Sequence, residues 1–265
     1  MMDILLTPFL LSVVLVGIHS FFGMEILKRG IIFTDLAIGQ MAALGAAVSL
    51  LFFDGQYLYP TSLLFALLGA LVIAVASKVE RLSEAFIGLL YAFGMATVFL
   101  VLSKSPQGLE DFQRLLASDL LFVPLKDIYT TTGIYLLIGT ALYLSGRFFK
   151  SRLKDFSFFL LFAITVTSSV KLAGVLVVFA LLVAPALVAL MLARRFQLLT
   201  AWVYGTIINL LGVVISYKLD LPTGYTLVSL HSFLAAVIFL IMGRGDVRSI
   251  VEPGSVFGSG HAPTE

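Results

Sequence analysis

No cysteine occurs anywhere in the 265 residues. Disulfides, thiolate metal sites, haem attachment and thiol catalysis are therefore excluded. Charge is scarce as well. Asp, Glu, Lys and Arg together make up 12% of the chain, about half of the roughly 25% usual in soluble domains. The formal net charge of +2 is too small to suggest nucleic acid as a partner. No Gly-x-x-x-x-Gly-Lys-Ser/Thr segment is present, so the chain holds no P-loop for ATP. The three histidines, His19, His231 and His261, are too scattered for a His-Glu-x-x-His zinc site. An intramembrane enzyme is thus poorly supported.

What fills the chain instead is apolar. Hydrophobic residues account for 60% and the mean hydropathy is +1.08. A soluble fold could not cover that surface, so it must meet lipid. A helix crosses a bilayer core with about 20 apolar residues. Runs of that kind lie at 4–25, 31–53, 60–77, 84–103, 127–145, 156–170, 174–192, 198–217 and 225–242. The expectation is an all-α polytopic transmembrane bundle of nine spans, with eight as the alternative. The first run lacks a basic leader and a small-residue cleavage site, and reads as a retained helix.

The count turns on 156–192, which is too long for one crossing and slightly short for two. Lys171 near its middle suggests a turn there. With two crossings and the N-terminus outside, Lys28, Arg29, Lys78, Arg81, Arg147, Lys150, Arg152, Lys154, Arg194, Arg195, Arg244 and Arg248 fall inside. Lys104, Arg114, Lys126, Lys171 and Lys218 fall outside, in keeping with the positive-inside rule. Residues 1–242 form the membrane domain. Within it, 104–126 mixes Glu110, Asp111, Arg114 and Asp119 with leucines and reads as an interfacial or outer segment. Residues 243–265, rich in Gly, Ser and Pro, are expected to be a disordered cytoplasmic tail.

Ionisable groups at bilayer depth cost about 2.5–3.5 kcal/mol on insertion scales and usually face a bundle interior. His19, Glu25, Asp35, Gln40, Glu84, Lys171 and His231 are the residues singled out on this ground in or beside the spans. Asp35 is the most informative: it reads either as a helix N-terminal carboxylate offsetting the macrodipole or as a cation-coordinating group. Each histidine reads either as bonded to a neighbouring backbone or as part of a transport path. Without cysteine, any metal would be held by Asp, Glu, His, Gln or backbone oxygen, a set compatible with zinc, manganese and iron.

Three stretches carry a resemblance. They are Leu27-Lys-Arg-Gly-Ile-Ile-Phe-Thr-Asp35 followed by Ala42-Ala-Leu-Gly45, then Lys171-Leu-Ala-Gly-Val-Leu-Val-Val-Phe-Ala-Leu-Leu-Val-Ala-Pro-Ala186 ending at Arg195, then Asp220-Leu-Pro-Thr-Gly224. In that order they resemble the permease subunits of bacterial metal-ion ABC importers, the zinc, manganese and iron family. The resemblance implies a multi-pass subunit of the bacterial or archaeal cytoplasmic membrane that imports a divalent metal ion and is not itself an enzyme. It implies a separate ATP-binding subunit, an extracytoplasmic metal-binding protein and a homodimer in the membrane. No permanently bound cofactor is implied; the metal ion is the substrate. Asp35 is assigned to the metal pathway, with Gln40, Asp119, His19 and His231 as weaker companions. Arg147, Lys150, Arg152 and Lys154 are assigned to ATPase coupling, and Pro185 to a helix kink.

Two departures from the family pattern stand out. Zinc-type members place a His four residues after the Asp, whereas position 39 here is Gly and Gln40 lies one residue late, about 140° round the helix. The family's second helix histidine aligns with Ala92. The segment 146–155 before the sixth span is also shorter than the family's coupling element. An ATP-independent channel or secondary carrier with the same fold is the alternative function.

Overall fold

The computed structural model describes residues 2–77, 82–108, 110–111, 113, 120, 123–148, 151–193 and 195–246. Among these, nine helices are long and apolar enough to cross a membrane. They are α1 (Met2–Arg29), α2 (Thr34–Phe53), α3 (Leu58–Ala76), α4 (Ser83–Leu102), α5 (Leu125–Phe148), α6 (Ser151–Ala173), α7 (Val175–Leu192), α8 (Gln197–Leu219) and α9 (Thr223–Asp246). The nine-span reading holds. Long apolar helices are the form in which a chain satisfies its own backbone where no water can.

The break inside 156–192 lies at Gly174, three residues beyond the turn suggested by Lys171. Gly174 has φ +85° and ψ 161°, a conformation that residues with a Cβ rarely adopt. Lys171 remains in the last turn of α6, where a cation meets the helix dipole favourably. At the far end, α9 continues to Asp246, four residues past the boundary read from the sequence. The rest of the tail, from residue 247, lies outside the described residues.

The helices sort into two groups. α2 packs on α3 and α4, and α3 also runs along α6. α1, α7, α8 and α9 pack against one another. Close approach needs small residues, as membrane helices without a hydrophobic drive between them require. Gly45 of α2 sits against the backbone of Thr61, and Gly23 of α1 against the carbonyl of Leu182. α5 leans on α6 and α1, and α2 touches α7 lightly. The outward face is large and apolar, with Leu89, Leu137 and Ile241 each more than two-thirds exposed.

Candidate functional site

Asp35 is the second residue of α2 and is 1% exposed. Neither carboxylate oxygen has a hydrogen-bond partner, and the neighbouring Thr34 Oγ1 has none either. A buried carboxylate without hydrogen bonds is costly, and such groups ordinarily pair with a cation or a donor. The bland reading, in which Asp35 merely offsets the macrodipole at an interfacial helix end, does not account for its burial. Glu84, in the first turn of α4, caps the other side of this end: its Oε1 accepts from Phe33 N–H at 3.2 Å.

α2 is a regular helix from Thr34 to Phe53. No bulge rotates Gln40 onto the face of Asp35. Gln40 is buried against α4, where its Cβ lies 2.9 Å from the position a Cβ on Gly94 would take. The residue one turn from Asp35 is Gly39, and it is covered by Val175 and Val170.

The two membrane histidines are built into separate polar seams. His19 Nδ1 lies 2.8 Å from the carbonyl of Leu15, which can only accept, so Nδ1 carries the proton. Its Nε2 lone pair faces Ser169 Oγ at 3.1 Å, a hydroxyl whose hydrogen is shared with the carbonyl of Thr165 at 2.7 Å, and Tyr135 and Ser168 continue the chain of hydroxyls. Both ring nitrogens of His19 are thereby used. His231 Nε2 lies 2.8 Å from Asn209 Oδ1, while Asn209 Nδ2 donates to the carbonyl of Ser12. That amide orientation makes Nε2 the donor and leaves Nδ1 without a protein partner. Among the described residues, no three of His, Cys, Asp and Glu converge on a point where they could hold a metal ion. Asp35, Gln40, His19 and His231 are thus not one constellation. Asp119 lies outside the described residues.

Arg147 and Lys154 are exposed where α5 ends and α6 begins. Together with Glu25 and Arg29 they line a cavity of about 470 Å³, floored by Phe21, Leu142 and Phe158. Arg29 donates to Asp155 Oδ1 at 2.9 Å and also lies over the Phe158 ring at 4.4 Å. The 146–155 segment is therefore tied to the last turn of α1. Lys150 and the side chain of Arg152 lie outside the described residues. Pro185 sits inside α7, which runs uninterrupted through it. Its ring packs beside Gly205 of α8, which Val16 of α1 also approaches, so the residue read as a kink makes a packing contact.

Sequence reasoning passed over the polar run Thr165, Thr167, Ser168 and Ser169 of α6, all buried. The run was visible as five polar residues within 165–171, counting Lys171, in an otherwise apolar span. Tyr59, whose ring Lys171 overlies at 5.9 Å, was not singled out either.

Comparison with known proteins agrees with this architecture. The family model of the ABC 3 transport family matches residues 1–242. A probable iron transport system membrane protein of Haemophilus influenzae is 28% identical, over 91% of this chain and 94% of its own length. The manganese transport system membrane protein MntC of Listeria innocua is 23% identical, over 87% and 88%. Among solved structures, PsaBC from Streptococcus pneumoniae in complex with Fab superposes with a TM-score of 0.72 at 19% identity, over 89% of this chain and 91% of that one. A putative metal-chelate type ABC transporter in an inward-facing conformation gives 0.67 at 18% identity, over 88% and 85%.

Proposed function

Because the chain belongs to the ABC 3 transport family and is the membrane-spanning permease subunit of a metal-type ABC transporter, we propose that it imports a divalent metal ion, with Asp35 on the ion path. The observation that carries this reading is the Asp35 carboxylate, buried in a membrane helix with both oxygens unpartnered. A passing cation would offset the cost of that burial. Oxygen ligands suit manganese and iron as well as zinc, and position 39 supplies no imidazole beside Asp35. The family match removes the ground for a stand-alone channel or carrier.

The partners follow from the same reading. A separate ATPase docks on the end that carries Arg147 and Lys154, and an extracytoplasmic binding protein delivers metal at the opposite end. A second copy of the chain completes the pathway. Purification from native membranes in mild detergent is expected to bring a stoichiometric ATPase with it, and its reproducible absence would refute the docking assignment. Asp35→Asn should abolish metal accumulation while expression and membrane insertion stay at wild-type levels. Normal accumulation in that variant would remove Asp35 from the ion path.

A further inference from the structure

We propose that Glu84 of α4 is a positioning residue of the metal route: by accepting the backbone donor at the start of α2, it keeps the Asp35 carboxylate free to meet a cation. The inference rests on the reading that Asp35 lies on a divalent-metal path.

α2 opens without a cap of its own. Phe33 stands at its N-cap and makes no side-chain capping bond, although the first N–H groups of any helix have no partner inside it. Of the donors just ahead of Asp35, Thr34 N–H reaches the carbonyl of Ile31 at 3.1 Å. Phe33 N–H is served from another helix, by Glu84 Oε1 at 3.2 Å. The one acid within α2 is Asp35, and both its oxygens are buried without a hydrogen bond among the described residues. An acidic side chain in the first turn of a helix can reach back to the N-cap N–H, as in a capping box. Here that donor is already held from 51 residues away.

The fold explains why the acceptor comes from α4. A single return helix separates α2 from α4, so the two run the same way, and the contacts Glu84–Phe33 and Gly94–Gln40 climb together along them. Parallel helices bring two positive ends side by side, each equivalent to about half an elementary charge. Glu84 lies in the first turn of α4 and bonds at the start of α2, so one carboxylate offsets both ends. Its Oε2 is buried without a partner, and the hold on α2 runs through Oε1. With the donor occupied, Asp35 stays bare, and a cation is what offsets its burial.

Removing the Glu84 acceptor reverses the arrangement. Phe33 N–H then lacks a partner, and Asp35, two residues on, is the acid closest to it in the chain. Capping its own helix and binding a cation become competing uses of one carboxylate. A hydrogen bond to a charged group is strong enough that this competition weakens the cation roughly tenfold.

The test uses the purified complete transporter with its ATPase in detergent, with Mn²⁺ as the probe and Asp35→Asn as the blank. Glu84→Gln keeps an acceptor oxygen at this position, and Glu84→Met keeps the length of the side chain without one. Glu84→Gln should bind Mn²⁺ as wild type does, and Glu84→Met roughly tenfold more weakly. Equal affinities for Glu84→Met and wild type would overturn the proposal, and so would a Glu84→Gln as weak as Glu84→Met. Unfolding midpoints without metal give a second readout, one that a merely structural role does not move. In the wild-type background Asp35→Ala removes a bare buried carboxylate and should leave the midpoint level or raise it. In the Glu84→Met background the same change removes a cap and should lower it. An identical shift in both backgrounds would overturn the proposal. Should Glu84→Met fail to fold, the Mn²⁺ affinity of Glu84→Gln decides: wild-type binding supports the role and lost binding overturns it. A wild type that binds neither Mn²⁺, Zn²⁺ nor Fe²⁺ above the Asp35→Asn blank would instead sink the placing of Asp35 on the ion path, on which the two midpoints do not depend.

Discussion

A methyl group added at Gly45 should break the α2–α3 contact. Its Cβ would lie 2.3 Å from Thr61 O, 2.6 Å from Thr61 C and 2.7 Å from Ser62 Cα. Ordinary carbon contacts begin at about 3.5 Å, so the methyl is roughly 1 Å short of room. All three obstacles are backbone atoms in α3, and no side-chain rotation relieves them. Overpacking of this kind costs about 1–3 kcal/mol and sometimes more, and rigid backbone places it at the upper end. Alanine recovers about 1 kcal/mol of helix propensity. The net loss is about 2 kcal/mol, close to a thirtyfold shift toward the unfolded state. Thermal unfolding of Gly45→Ala in detergent, followed by the fluorescence of the single Trp202, is expected to fall several degrees below wild type. The companion variant Gly88→Ala, where a Cβ meets no atom within 4 Å, should match or exceed wild type. Equal midpoints for Gly45→Ala and wild type would refute the claim that α2 and α3 touch through backbone at this point.

Two further outcomes follow from the geometry. His19→Leu should lower stability by about 0.6 kcal/mol, the average for hydrogen bonds between membrane helices, because the bond from Ser169 of α6 to α1 is lost while Ser169 Oγ keeps the carbonyl of Thr165; uptake per folded molecule should persist, and its loss would return His19 to the ion path. Gly174→Ala forces a Cβ into φ +85° at a strain of about 1–3 kcal/mol, visible as a lowered unfolding midpoint, and an unchanged midpoint would mean that the α6–α7 turn relaxes freely.

The spans were readable because apolar length is a one-dimensional signal, and the lipid contact that selects it is the same for every helix. The α6–α7 break was only half readable. Lys171 draws attention as a charge, but Gly174 makes the turn because it alone in that stretch lacks a Cβ. Asp35 could be singled out by its charge inside a span. Its want of partners could not, since that depends on what α4 and α7 bring near it. The histidine partners were out of reach for the same reason: Ser169 is 150 residues from His19, and Asn209 gave no periodic signal that linked it to His231. The 140° offset of Gln40 was readable and holds, because α2 stays regular. Lys171 was readable as a turn marker and an outer charge but not by its surroundings, since Tyr59, Asp111 and Asp127, which line the same cavities, come from three distant stretches of chain.

Gly174 has a place in the architecture that its single turn understates. α6 packs with α3 and α2, whereas α7 packs with α1, α8 and α9, so this one residue joins the two helix groups directly. The valines that cover Gly39 of α2 stand on either side of Gly174, Val170 on α6 and Val175 on α7. Any change in the angle between the groups must therefore move Val175 relative to Gly39, while Val170 stays with α2. At the opposite end, Arg29 of α1 holds Asp155 of α6, so the two groups are also clasped beside the segment assigned to ATPase docking. A force applied to residues 146–155 acts on that clasp at one end of α6, and the other end of α6 carries Val170, Lys171 and the turn. The helix with the polar run Thr165 to Ser169 thus runs from the Asp155 clasp at one end to Val170 over Gly39 at the other.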